Sequence, residues 1–129
     1  MPFRESSYPK DWLALAEKDL ARVKRSLRDK DPELAAFCLQ QAVEKFLKAF
    51  LLSKGWKLRR IHDLEALLDD AMAHDPSLDQ FRADCQRITN YYVVERYPLV
   101  VGTGFTEEAV RASLEAAVRL IEKIRKGMR

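Results

Sequence analysis

The segment 87–98, RITNYYVVERYP, concentrates side chains that can hold an anion. Arg87 and Arg96 carry planar guanidinium forks suited to bidentate phosphate binding, while Tyr91, Tyr92 and Tyr97 add stacking faces and hydroxyls. The combination suits a nucleotide or an RNA backbone. Packing of Tyr92 and pairing of Arg96 with an acid would account for the same residues. His62, in Ile61-His62-Asp63-Leu64, is the second group with chemistry, since an imidazole exchanges a proton near neutrality. At a helix start it can equally cap or pack, and only the fold can bring it beside Lys45 or Arg96. The third group is a polar strip, Gln40, Gln41, Glu44, Lys45 and Lys48, set into the otherwise apolar stretch 35–52.

Other chemistries lack their residues. There is no G-x-G-x-x-G or G-x-x-x-x-G-K-[ST] loop to cradle phosphates, and Gly102 and Gly104 read as loop flexibility. His62 and His74 are too far apart, and without cysteine pairs, for a zinc site, and Glu-x-x-His pairs for a di-iron bundle are missing. No metal ligand and no cofactor is therefore expected.

The strip lies on the element that the rest of the chain must surround. Asp31 as N-cap and Pro32 at the first helical position start a helix that runs to about residue 54, roughly 34 Å long, with Gly55 at its left-handed exit. It is apolar on nearly all sides, so it belongs inside a bundle, and its polar strip must face water, a cleft or a partner. Before it, residues 1–10 read as an arm. A helix over 11–28 follows, with Asp11 as N-cap and Trp12, Leu13, Ala16, Leu20, Val23 and Leu27 as its inner stripe. Its outer face, Lys18, Arg22, Lys24, Arg25 and Arg28, fits a solvated surface or a strip facing RNA or an acidic partner.

After Gly55, the loop Trp56-Lys57-Leu58-Arg59-Arg60 either stacks and binds phosphate or packs its tryptophan on a helix end. A third helix spans about 62–73. The stripe Leu78, Phe81, Cys85, Ile88 and Tyr92 predicts a fourth over about 78–94, broken by Pro98. Thr106 caps a fifth, with Val110, Leu114, Ala117, Ile121 and Ile124 inside. The expected fold is all-α: an antiparallel up-and-down bundle of about five helices with a four-helix core, spanning 11–126 as one domain.

The totals agree with that reading. The 129 residues are 47% hydrophobic and 33% charged, as in a globular protein, and the net charge of +3 permits an anionic partner without demanding one. Cys38 and Cys85 sit at apolar helical positions, as small buried side chains or as a redox pair that only geometry can revive. The polar start, PFRESSYPK, is unlike a secretory signal, and no apolar run approaches the ~20 residues of a membrane span. A cytoplasmic protein without membrane contact is expected.

Taken in order, Gln40-Gln41-x-x-Glu44-Lys45-x-x-Lys48, Gly55, His62-Asp63-Leu64 and Tyr92-x-x-x-Arg96-Tyr97-Pro98 resemble a small prokaryotic HEPN-domain protein (higher eukaryotes and prokaryotes nucleotide-binding). The resemblance covers about residues 11–125. It implies an up-and-down helical bundle, commonly a homodimer, often encoded beside a minimal nucleotidyltransferase. Many members are RNases, including toxins of toxin–antitoxin pairs, that use an Arg-x4-6-His motif. This chain departs from them, because both histidines precede residue 75 and neither follows an arginine at that spacing. General acid–base cleavage of RNA needs such a proton-exchanging group. The expectation is thus a binding module without catalytic residues, acting on a nucleotide or RNA or docking a partner. Lys45, Lys48, His62, Arg87, Tyr92, Arg96 and Tyr97 would bind the ligand, and Gln41, Glu44 and Asp63 would organise the cleft, with Glu44 paired to a cation such as Arg96. The alternative is a metal-independent endoribonuclease with an atypical site.

Overall fold

The computed structural model describes residues 5–92 and 105–129. Among them it is all-helical, an antiparallel bundle of five α-helices with no strand: α1 (Pro9–Arg28), α2 (Pro32–Ser53), α3 (Leu64–Met72), α4 (Arg82–Thr89) and α5 (Glu107–Gly127). Two 3-10 turns, Pro76–Phe81 and Asn90–Tyr92, flank α4. None of the helices described is long and apolar enough to cross a membrane.

The central rod is α2. Phe46, Leu47, Leu39 and Leu51 are fully buried, and the helix contacts α1, α3, α4, α5 and the second 3-10 turn. Its two ends are built by local chemistry. Asp31 accepts the Leu34 N–H at 3.2 Å with Pro32 at the first turn. At the far end Gly55 takes φ +86°, its N–H bonds Leu52 O at 3.1 Å, and the Trp56 N–H bonds Leu51 O at 3.0 Å. That pair of bonds is a Schellman exit, which only a residue tolerant of the left-handed region forms at low cost.

α1 starts two residues before the expected position, and Asp11 is not its cap. Pro9 presets the first helical φ, so the Tyr8 carbonyl receives the Asp11 N–H at 3.1 Å. The Asp11 carboxylate is left within the first turn and takes the Ser6 hydroxyl at 2.7 Å. α3, by contrast, begins later than expected, with Asp63 as N-cap accepting the Glu65 N–H at 3.0 Å, which leaves His62 outside the helix.

The region expected as one fourth helix is instead a 3-10 turn, an α-helix and a second 3-10 turn up to Tyr92. Asp75 accepts both the N–H and the hydroxyl of Ser77, tightening the start around Pro76. A 3-10 turn advances three residues per turn rather than 3.6, so the buried stripe shifts phase. Leu78, Phe81, Cys85 and Ile88 are buried as the stripe predicts, but the next buried ring is Tyr91, 3% exposed, and Tyr92 is only half-buried. Arg82 clamps this region to α3 through Glu65 at 2.9 Å and Asp69 at 2.7 Å, and to Asp79 at 2.9 Å.

α5 is capped by Thr106, whose hydroxyl accepts the Ala109 N–H at 3.1 Å, and it closes the bundle with Val110, Ala117, Ile121 and Ile124. Leu114 of that stripe is half-buried, and the fully buried side chain beside it is Ser113. Both cysteines are buried and no disulfide joins them, so the redox pair is not formed.

Candidate functional site

The polar strip of α2 does not lie open to solvent as a whole. Gln40, Glu44 and Lys48 are at most 4% exposed, and each has polar partners. Lys48 Nζ donates to Glu44 Oε2 at 3.0 Å, one helical turn away. Glu44 Oε1 accepts the Gln40 amide at 3.0 Å and stands 3.0 Å from His62 Nδ1. The same Gln40 amide donates to the His62 carbonyl at 3.2 Å, fixing the extended segment before α3 against α2. A carboxylate can only accept, so this geometry calls for the proton on Nδ1 of the ring.

A second pair lies beside the first. Lys45 bonds the Asp19 carboxylate of α1, which also receives Arg22 Nη1 at 2.8 Å. Gln41 joins the two halves, accepting from Lys45 at 3.3 Å and donating to Gln40 Oε1 at 2.7 Å. The outcome is one connected polar network running from Arg22 on the surface of α1 to His62. Buried ions are tolerated when paired in this way, and removing one partner leaves the other charge uncompensated.

Above the network is a cleft of about 360 Å³ lined by Glu5, Trp12, Gln41, Glu44, Lys45, Lys48, Arg60 and His62. Lys48 Nζ sits 5.1 Å from the Trp12 ring centroid, in cation–π reach, and the indole N–H donates to the Ser6 carbonyl at 2.6 Å. The His62 side chain is 52% exposed. Tyr92 stacks on its ring with centroids 5.1 Å apart and planes 17° from parallel, and Phe37 lies beyond Tyr92 at 6.2 Å.

Five of the residues expected at the site therefore meet in one place: Gln41, Glu44, Lys45, Lys48 and His62. Tyr92 reaches it through the His62 ring. Asp63 contributes by capping α3 and so holding the adjacent His62 outside the helix. Arg87 is not brought in. It donates to Ser113 at 3.0 Å and to Asp84 at 2.7 Å, and Ser113 also bonds the Tyr91 hydroxyl at 3.0 Å. Arg96 and Tyr97 lie outside the described residues. Among those that are described, the partners of Glu44 are Lys48, His62 and Gln40.

Three contributors escaped the motif reading. Asp19 had one signal, a carboxylate within the turns that bury Ala16, Leu20 and Val23. Trp12 read as core, and Arg60 as one cation among several in its loop. Within that loop Trp56 packs against the core and donates to Asp70 at 3.0 Å beneath Arg59, which binds the same carboxylate at 2.6 Å. Arg60 is exposed and has no ion pair among the described residues. No cluster of three metal-ligating side chains occurs among them either.

The fold and the cleft define an all-α bundle with a paired-charge pocket against its central helix. Residues 9–127 match the HEPN domain model, and the chain belongs to that family. It is similar to TT1696 from Thermus thermophilus, with TM-score 0.82 and 25% identity over 92% of this chain and 97% of that one. It is also similar to ST0689, described as an archaeal HEPN homologue, with TM-score 0.75 and 26% identity over 95% and 98% of the two chains. No curated protein matches it.

Proposed function

We propose that this HEPN protein is a non-catalytic binding module that holds the phosphate of a nucleotide or of RNA in the cleft over α2. One observation carries the reading: a single cleft of nucleotide size gathers Lys45, Lys48, Arg60, His62 and the Trp12 indole. Small-molecule sites begin at about 300 Å³, with a few convergent polar groups on an apolar wall. Arg60 and the exposed imidazole would meet the phosphate, and Arg96 and Tyr97 would join them from the segment after Tyr92. Lys45 and Lys48, held by Asp19 and Glu44, would supply the background charge. Family membership supports a homodimer working beside a minimal nucleotidyltransferase as its protein partner.

The chain has two tryptophans, so Trp56→Phe leaves Trp12 as a reporter inside the cleft. Titration with AMP, ATP, GTP and short RNAs should give a saturable change in its emission that Arg60→Ala weakens. Absence of saturable binding to every one of them would sink the proposal.

The Glu44–His62 contact favours one second reading, a metal-independent endoribonuclease in which the carboxylate orients the imidazole as proton acceptor. Against it stands the missing Arg-x4-6-His motif. RNA cleavage in EDTA that disappears in His62→Gln would replace the binding module with the enzyme.

A further inference from the structure

The polar network fixes which nitrogen of His62 carries its proton, and the fixing begins at Lys45. An ammonium group only donates, so the Gln41 side chain must turn its carbonyl to Lys45. Its amide then donates to Gln40 Oε1 at 2.7 Å, and the Gln40 amide donates to Glu44 Oε1 and to the His62 carbonyl. Lys48 Nζ reaches the same carboxylate through Oε2. The chain of donors runs toward Glu44, and His62 Nδ1, 3.0 Å from Oε1, must be a donor as well. When Nδ1 of a neutral imidazole holds the proton, Nε2 is a bare acceptor. Here Nε2 has no hydrogen-bond partner among the described residues, on a side chain that is half open and lines the cleft.

The charges around the ring offer little to replace that missing donor. Lys48 is paired with Glu44 and Lys45 with Asp19. Arg60, without an ion pair among the described residues, shares the lining with Glu5. The other titratable neighbours of the ring are Asp63, which caps α3, and Tyr92, which stacks on the imidazole. The second histidine, His74, lies against Phe50 and does not line the cleft. A phosphate oxygen brought to Nε2 would therefore set one acceptor against another. A single proton between them turns that repulsion into a charge-assisted hydrogen bond.

We infer that the cleft binds its anion together with one proton, which His62 Nε2 takes up because Glu44 already holds the Nδ1 hydrogen. The inference rests on the cleft reading above and adds its regulation: acid tightens anion binding and alkali releases it. His62 meets the anion, and Glu44 is the positioning residue that ties the meeting to a proton. A neutral ring, a monoanion and one solvent proton combine without any covalent change to the anion, and release returns the proton. Wherever the free ring is neutral, the bound state holds one proton more than the free state. Affinity accordingly falls as pH rises through the imidazole range.

The test uses cyclic AMP, a phosphodiester whose own charge is constant near neutrality, so that any pH dependence belongs to the protein. Its affinity should fall at least about tenfold between about pH 6 and about pH 8, the range that spans imidazole titration. Calorimetry at pH 8 in two buffers of different ionisation heat should count about one proton taken up per ligand. Nitrogen NMR of the free protein at the same pH should place the His62 proton on Nδ1. In His62→Phe, which keeps a ring against Tyr92, binding should be weak and flat with pH, with a thermal melt as the folding control. In Glu44→Ala/Lys48→Met the neutral ring can move its proton to Nε2, so proton uptake should drop well below one. Binding that is flat with pH in the parent overturns the coupling, as does a proton on Nε2 in the free protein. So does a pH dependence that survives in His62→Phe, or full proton uptake in the double variant. If neither AMP nor cyclic AMP binds at any pH, the cleft reading itself falls and the coupling with it, an outcome distinct from binding that ignores pH.

Discussion

One carboxylate, Glu44, serves two nitrogen partners at once: Oε2 accepts Lys48 Nζ at 3.0 Å and Oε1 stands 3.0 Å from His62 Nδ1. Lys48 is buried with it, whereas His62 is half open to the cleft. The same residue therefore secures the core of the bundle and orients the group that faces the cleft.

Glu44→Ala should be severely destabilising, because Lys48 would keep a buried charge without its partner. Breaking such a pair costs about 3–5 kcal/mol. Urea denaturation checks this, and Glu44→Ala/Lys48→Met should recover most of the loss by removing both charges. A Glu44→Ala protein as stable as the parent would mean that the network does not hold the fold.

His62→Gln should separate binding from stability. With His62 gone, Glu44 still has Lys48 and Gln40, and the ring itself is half exposed. The melting temperature should move little, while AMP affinity in the Trp12 assay falls about tenfold, as expected for loss of a hydrogen bond to a charged group. Calorimetric titration beside a thermal melt distinguishes the two.

Burial in the apolar interior pushes the Cys85 thiol up to about 12, with Asp84 adding to the effect. Native Cys85 should therefore resist alkylation at pH 8 and react only in denaturant, read by mass spectrometry. The sign for stability follows from proton uptake. Below pH about 9 the thiol is protonated in both states, but between about 9 and about 12 only the unfolded chain ionises. Stability should fall as pH rises through that window, and Cys85→Ala should flatten the decline.

The ends of α2 give two local tests. Asp31→Ala removes the acceptor of the Leu34 N–H and should cost about 1 kcal/mol. Gly55→Ala meets no atoms, since nothing lies within 4 Å of the added carbon, yet φ +86° strains any L side chain. It should cost about 1–2 kcal/mol through backbone conformation alone. Denaturant midpoints measure both, and hydrogen exchange at residues near each end should locate them.

What the chain order determined by itself is local. Asp31-Pro32, Gly55 and Thr106 each act on backbone within a few residues, so their roles as caps and exits follow from identity and spacing. The apolar periodicity of 35–52 likewise required a buried rod, because that much apolar surface has nowhere else to go. The ordered motifs placed the chain in its family. Errors arose where two local signals competed, as when Pro9 displaced Asp11 from the cap, or where the pitch changed, as when a 3-10 turn moved burial from Tyr92 to Tyr91.

The tertiary structure decided which charge meets which. Lys45 could have found several acids, and packing of α1 against α2 selected Asp19, 26 residues away. Glu44 and His62 are 18 residues apart, joined because Gly55 turns the chain back and Asp63 holds α3 off the histidine. Arg87, equal to any arginine in sequence, was drawn to Ser113 on α5. Coulomb and hydrogen-bond energies depend on separation in space, and separation in space is a property of the packed bundle. The sequence could therefore nominate Glu44 and His62 as chemistry-bearing groups, and only the bundle could make them a pair.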